Sequence, residues 1–278
     1  MTDLFADVNG IKICYEILGE GDPVLLVHGL GSKKESWIAQ FKPLSEHFKV
    51  IRFDNRGAGK SDRPKGEYTM ELFANDIASF IDYLKIDKTH IIGWSFGGMI
   101  VQNFVIKYPE RVTKMVLINT NYGTPDESGA ETYKNMRIAS LKAKQADPEK
   151  AFWQSIRADY YIKFRKQLEA EPTKKWYGLW SAEDLIKESM INPPTIEDIE
   201  VQTSAVSTHH TLKRLHEIKN KSLLIASTHD RVMPVSVMEE MHERIPNSIL
   251  KVIDKAGHGS PRSRAPEINK LIIDFLSN

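Results

Sequence analysis

The stretch "HIIGWSFGGMIVQ", His90 to Gln102, changes character at one residue. Before Ser95 it is an apolar run of the kind that forms a buried strand. After Ser95 two glycines lead into apolar spacing that suits a helix. Gly93-Trp94-Ser95-Phe96-Gly97 is therefore a G-x-S-x-G pattern set at a strand-to-helix joint. The geometry of such a joint explains its glycines. The turn is tight enough to strain the serine backbone, and side chains two positions to either side would collide. The serine hydroxyl is lifted above the strand ends at a helix N-terminus, where the dipole favours developing negative charge. The pattern alone is weak, and the strand-to-helix context gives it weight.

Working outward, short branched-aliphatic runs recur: "VLLV" (24–27), "KVIRF" (49–53), "KMVLIN" (114–119), "SLLIAS" (222–227) and "ILKVI" (249–253). With "HIIGW" (90–94) they are nearly unbroken apolar, which suits strands of a parallel sheet covered on both faces. Segments of helical spacing lie between them. Phe73, Ile77, Phe80, Ile81 and Leu84 share one face of a helix that Thr69 could cap, and Ile268, Leu271, Ile272 and Phe275 repeat the pattern near the end. The alternation predicts an α/β fold with right-handed crossovers. Ile11, Ile13 and Tyr15 alternate with polar residues before the turn "GEGDP", which predicts an antiparallel edge leading into the parallel sheet.

The regularity breaks after Asn119. From about Tyr122 to Val206 the chain is polar, helical in pattern and rich in aromatics: Phe152, Trp153, Tyr160, Tyr161, Phe164, Trp176, Tyr177 and Trp180. This predicts a helical cap over one edge of the sheet, most of its aromatics forming its own core. The expected organisation is core at 1–121, cap at 122–206 and core again at 207–278.

A serine hydroxyl is a poor nucleophile unless a base takes its proton. Of nine histidines, His258 stands apart in "DKAGHGSPRS", with glycine on each side, just past the last strand. That is the carboxyl end of the sheet, where open α/β sheets place their ligands. Its imidazole needs an acid to hold its tautomer, and Asp230 in "SLLIASTHDRVMP" lies beyond the preceding strand. The order Ser95, Asp230, His258 is the one expected for this fold. Asp254 is the weaker rival acid. For an oxyanion, Phe96 supplies one backbone N–H, and "VHGLGS" (27–32), with Gly29 and Gly31 around Leu30, supplies the second from Leu30. His28 is read as a brace for that loop. Trp94, Trp153, His210 and Met233 are candidates for lining a pocket.

Composition narrows the partners. The chain has 278 residues, is 27% charged and has a formal net charge of +1, with no long block of like charge to favour nucleic acid or an anionic membrane. The lysine-rich "LKAKQADPEK" (141–150) reads as a solvated helix face, and Arg137, Arg157 and Arg165 as surface ion-pair partners in preference to binders of a substrate carboxylate. The one cysteine, Cys14, excludes an internal disulfide and reads as a strand residue. No cluster has metal-ligand spacing, and no glycine-rich phosphate loop occurs. The expectation is therefore no metal and no cofactor. The first residues lack a basic region followed by an apolar core, and no window is long and apolar enough to span a bilayer, so a cytoplasmic setting is expected. A monomer or small homo-oligomer fits.

Together "VHGLGS", "IRFDNRGAGKSD", "HIIGWSFGGMI", "THDRVMP" and "AGHGS" resemble the α/β-hydrolase superfamily. The resemblance is to the branch containing 3-oxoadipate enol-lactonases, small carboxylesterases and cofactor-free haloperoxidases, and it spans the chain except the cap segment. It implies that Asp54 and Arg56 close a turn over the oxyanion loop and are structural. Relatives with aspartate at the nucleophile position are excluded by Ser95. The expected activity is cleavage of a small ester or lactone through an acyl-enzyme on Ser95. Perhydrolysis or haloperoxidase-type chemistry, C–C or amide hydrolysis, and a slow-turnover ligand-binding protein are the alternatives.

Overall fold

A computed structural model describes residues 2–123 and 127–278, with backbone alone at 127, 128 and 130. Eight strands form one sheet: β1 (Leu4–Val8), β2 (Ile11–Leu18), β3 (Pro23–Val27), β4 (Lys49–Phe53), β5 (Thr89–Trp94), β6 (Val112–Ile118), β7 (Lys221–Ser227) and β8 (Ser248–Ile253). Their order is β1-β2-β4-β3-β5-β6-β7-β8. β1 and β2 are antiparallel, β2 runs antiparallel to β4, and every other neighbouring pair is parallel.

The helices are α1 (Phe41–Ser45), α2 (Met70–Tyr83), α3 (Phe96–Lys107), α4 (Glu127–Ala146), α5 (Pro148–Asp159), α6 (Ile162–Ala170), α7 (Ala182–Ser189), α8 (Ile196–Ser207), α9 (Val235–Arg244), α10 (Ser260–Ser263) and α11 (Ala265–Ser277). Two apolar layers explain why the central strands read as unbroken apolar runs. Leu25, Val27 and Ile91 face a cluster with Phe73, Phe80 and Phe104 from α2 and α3. Val24, Leu26, Ile92 and Trp94 face the other side, against Phe41 of α1 and Ile268 and Ile272 of α11. Alternate residues enter opposite layers, so both faces of these strands favour apolar side chains. Each large aliphatic or aromatic residue buried this way contributes about 1.5–3 kcal/mol.

α2 starts as its residues dictate: the Thr69 hydroxyl accepts the Leu72 N–H at 3.1 Å, and Phe73, Ile77, Phe80 and Ile81 are buried. The N-terminal hairpin departs from the simple alternation. β1 is outermost, so β2 is covered on both sides and Cys14 and Glu16 are buried along with Ile13 and Tyr15. The polar members are satisfied: Arg52 Nε donates to Glu16 at 2.6 Å, and the Cys14 N–H donates to Ser61 Oγ at 2.9 Å. Burial pushes the Cys14 thiol up to about 12, so it is inert at neutral pH.

Between β6 and β7 the described chain is helical, α4 to α8, apart from short connections. Residues 124–126, within the segment expected to form the cap, lie outside the described residues. The aromatics of this insertion pack largely on one another. Ile156, Tyr160, Leu168 and Trp180 form a separate cluster with Phe152, Trp153, Phe164 and Trp176 at its margin. Capping boxes at Ser181/Asp184 and Thr195/Asp198 start α7 and α8. Among the described residues no helix is long and apolar enough to cross a membrane.

The strand order positions the site. β4 lies on one side of β3 and β5 on the other, so the sheet reverses direction of growth at β3. Val27 at the end of β3 is in register with Gly93 near the end of β5. The loop "HGLGS" and the turn at Ser95 therefore leave the sheet side by side, at its switch point.

Candidate active site

Ser95 has φ 56° and ψ −123°, a left-handed conformation that costs an L-residue about 1–3 kcal/mol. The surroundings over-determine it. Its N–H donates to the Ile118 carbonyl at 3.0 Å, and its carbonyl accepts from Gly98 N at 2.8 Å and Thr120 Oγ1 at 2.7 Å. A Cβ on Gly93 would lie 2.5 Å from the Gly97 carbonyl oxygen, and one on Gly97 would lie 2.0 Å from the Val27 carbonyl oxygen. Gly98 is as constrained, with 2.6 Å to Thr120 Cβ. The G-x-S-x-G pattern does not single it out.

His258 Nδ1 donates to Asp230 Oδ2 at 2.7 Å. The other oxygen of Asp230 accepts the N–H groups of Val232 and Met233 at 2.7 and 2.8 Å. Two amides and an imidazole thus hold one carboxylate, and His258 Nε2 is left to face the cavity. Asp254 is exposed, and its side chain meets Thr228 and Lys255, not His258. His229 packs edge-on against Tyr161 with ring centres 4.5 Å apart.

The His258 loop is tied to the elbow by Asn119, which the sequence did not single out, and by Trp94, expected only as pocket lining. Asn119, at the end of β6, donates to the His258 carbonyl and to Ser260 Oγ, each at 3.0 Å. Trp94 Nε1 donates to the same carbonyl at 3.1 Å. The signal was an asparagine immediately after an apolar strand, which tolerates positive φ; here φ is 44°.

On the opposite flank, a Cβ on Gly29 would come within 4.0 Å of Ser95 Oγ, so the "HGLGS" loop lies directly against the elbow. Among the described residues the N–H groups of Leu30 and Phe96 have no acceptor. His28 is fully buried: its Nε2 accepts the Asn55 N–H at 3.0 Å, and the protonated Nδ1 donates to the Gly29 carbonyl at 2.9 Å. Burial holds its pKa below the ordinary value, so it stays neutral. Asp54 accepts from the Lys34 and Lys60 amides at 2.7 and 2.9 Å, and Arg56 is paired with buried Asp76. Asp54 thus ties the 54–60 turn to the segment after the "HGLGS" loop and Arg56 ties that turn to α2; neither lines the cavity.

Ser95 and His258 line one cavity of about 470 Å³, bounded below by Gly29, Leu30 and Trp94 and above by α4, α5 and α7. That is room for a small molecule. The Ser95 hydroxyl makes no hydrogen bond to His258 among the described residues; such contacts commonly tighten when substrate is bound. Three expected lining residues lie elsewhere. Trp153 packs edge-to-face with Phe152 at the margin of the insertion's own cluster, because amphipathic spacing in α5 turns it there. His210 is exposed and bridges Gly123. Met233 is buried in the main core, and only its N–H serves the site. The reading of 141–150 as a wholly solvated face is also corrected, since Leu141 and Lys144 turn into the cavity beside Arg137. Arg262, just past His258, lines it too, and the sequence carried no sign of this. No group of three or more His, Cys, Asp or Glu suited to a metal occurs among the described residues.

An eight-stranded sheet with a serine elbow at its switch point and a histidine–aspartate pair beside it defines a class. The chain matches the alpha/beta hydrolase fold family over residues 22–261 and belongs to that family. It is 28% identical over 275 residues to a putative carbamate hydrolase of Caulobacter segnis, covering 95% of this chain and 96% of that protein. It is 27% identical over 277 residues to a 2-hydroxy-6-oxo-6-phenylhexa-2,4-dienoate hydrolase of Comamonas testosteroni, covering 97% and 93%. The enol-lactonase of Burkholderia xenovorans has the same fold, with a TM-score of 0.82 at 24% identity over 99% of this chain and 100% of that one. These relatives are hydrolases acting on different bonds.

Proposed function

We propose that this protein is a serine hydrolase that cleaves a small carboxylic ester or lactone through an acyl-enzyme on Ser95. The observation that carries the reading is the 2.7 Å His258–Asp230 bond opening on the same cavity as a serine held at positive φ. Ser95 Oγ attacks the carbonyl carbon as its proton passes to His258 Nε2, and the carbonyl π pair moves onto oxygen. The free N–H groups of Leu30 and Phe96 hold that oxyanion. As it collapses, the C–O bond to the alcohol breaks and the leaving oxygen takes the proton from His258. Water then attacks the acyl carbon while His258 accepts its proton, and the acid and Ser95 are released. Asp230 keeps the Nδ1–H tautomer and stabilises the imidazolium throughout. The insertion at 122–206 serves as the cap that closes this cavity.

The test is intact-protein mass after exposure to a fluorophosphonate, followed by turnover of p-nitrophenyl acetate and butyrate. One adduct on the wild type and none on Ser95→Ala, with ester turnover lost in the same variant, is the expected result. A wild-type protein that folds but takes no adduct would overturn the proposal. C–C bond hydrolysis is the second reading, favoured by the full-length similarity to the Comamonas enzyme. It predicts labelling of Ser95 with little ester turnover.

A further inference from the structure

Three cations, Arg137, Lys144 and Arg262, line the cavity, and none of them is in an ion pair with a wall acid among the described residues. Arg137 of α4 donates through Nη2 to the Leu30 carbonyl at 3.0 Å, directly over the proposed oxyanion loop. Its Nε is buried and has no hydrogen-bond partner. Arg262 of α10 lies on the other flank, its guanidinium 5.2 Å from the centre of the Trp94 ring, and its Nε is likewise buried and unpartnered. Lys144 follows Arg137 by about two turns on the same face of α4 and lines the same cavity.

The acids of the wall are otherwise engaged. Glu188 is paired with Lys33 at 2.7 Å, and Glu35 with Lys34 at 2.6 Å. Neither reaches the three cations. Asp159 faces Arg262 and Arg137, but its side chain forms no ion pair with either among the described residues, and burial outweighs their charges in raising its pKa. Lys144 makes no ion pair among the described residues. Burial, then the charges of Lys33, Arg137 and Arg262, lower its ammonium to about 8. Buried guanidinium donors left without acceptors are costly, and such a cost is met when a ligand supplies the acceptor.

We infer that Arg137, Lys144 and Arg262 form a carboxylate subsite, so that the substrate of Ser95 carries a free carboxylate in addition to its scissile carbonyl. The inference rests on the reading of Ser95 as nucleophile and narrows it to half-esters of short dicarboxylic acids and lactones bearing a carboxylate. A guanidinium recognises a planar carboxylate with two parallel N–H donors; Arg137 borders the Leu30 loop and Arg262 the elbow residue Trp94. A ligand held by them places its carbonyl near Leu30 and Phe96.

The experiment compares kcat/KM for monomethyl glutarate and dimethyl glutarate, which share a skeleton and differ by one charge. The half-ester is expected to be preferred at least tenfold. Arg137→Gln, Arg262→Gln and Lys144→Met should each lower that preference ratio about fivefold or more, in variants whose melting temperature shows them folded. In parallel, glutarate is titrated into Ser95→Ala and its thermal shift recorded with and without Arg137→Gln and Arg262→Gln. Hydrolysis of both esters with no preference for the half-ester overturns the subsite and leaves the hydrolase reading standing. If neither ester is cleaved, but glutarate stabilises Ser95→Ala only while both arginines are present, the subsite stands and the ester reading falls. No cleavage and no arginine-dependent stabilisation overturns both.

Discussion

The Gly259 N–H donates to the Asp159 carbonyl at 2.8 Å, so the loop carrying His258 is clamped to the end of insertion helix α5. A Cβ on Gly257 would sit 2.5 Å from that same carbonyl oxygen, and one on Gly259 would sit 2.3 Å from Tyr160 Cε1. The glycines flanking His258 thus answer the approach of the insertion, not a turn: the φ of Gly259 is an ordinary −80°. Gly259→Ala must move either the insertion or the histidine. Overpacking of this kind costs about 1–3 kcal/mol, and about 2–4 °C of melting temperature per kcal/mol for a chain of this size. Ester kcat/KM should fall by more than that stability loss explains. Differential scanning fluorimetry beside ester kinetics decides it, and unchanged values for both would show that the clamp is loose.

Asp230→Asn isolates the role of the carboxylate. The asparagine oxygen can still accept the Val232 and Met233 amides, but its NH2 would face the N–H of His258 Nδ1. The imidazole must then take the other tautomer, losing the lone pair that would accept the Ser95 proton. Turnover of esters should drop on the order of 10³–10⁴, with a melting temperature within about 3 °C of wild type. A loss under tenfold in steady-state assays would remove Asp230 from the mechanism.

Asn119→Asp tests the tie between the end of β6 and the His258 loop. The substitution replaces the donor to the His258 carbonyl and Ser260 with an acceptor, while the left-handed backbone at this position remains tolerable for aspartate. We expect kcat to fall about 10–100-fold with KM nearly unchanged, as for a group that aims another. Since a new carboxylate near His258 would also favour its charged form, the acid limb of the kcat/KM–pH profile should move to higher pH. A profile that only scales down, with no shift, would argue for a purely structural loss.

Lys144 predicts a trade between stability and selectivity. Its pKa is lowered from 10.5 to about 8, so between those values the unfolded chain keeps a proton that the folded chain has lost. Its contribution to stability therefore rises with pH across that window and is least favourable below pH 8. Lys33, Arg137 and Arg262 face it with like charge, while Asp159 and Glu188 line the same cavity. Lys144→Met should raise the melting temperature by about 2–4 °C at pH 7, allowing for partial solvent screening. The gain should shrink as pH approaches 10, as thermal melts over a pH series would show. A loss of stability at pH 7 would mean that the ammonium is already compensated.

The strands, the elbow and the order Ser95, Asp230, His258 were legible because each rests on short-range rules. A strand buried on both faces favours apolar side chains on both, and a strained serine needs small neighbours. The lining of the cavity was not legible in this way. Trp153 and Lys144 both lie on insertion helices with helical spacing, yet the aromatic turned into the insertion's own cluster and the lysine into the cavity. Arg262 and Asn119 looked like ordinary loop and strand-end residues.

What the sequence determined by itself was the class of fold, the serine at its joint and the acid and base expected beside it, because these are local demands of backbone geometry and strand order. The tertiary structure alone decided which side of each insertion helix faces Ser95, how closely Asp159 and Tyr160 press on the His258 loop, and that three cations gather over the elbow. Those facts depend on how α4, α5 and α10 pack against one another and against the sheet. Their contacts join residues more than a hundred positions apart, as in the 3.0 Å bond from Arg137 to Leu30, and no periodicity within one segment encodes them.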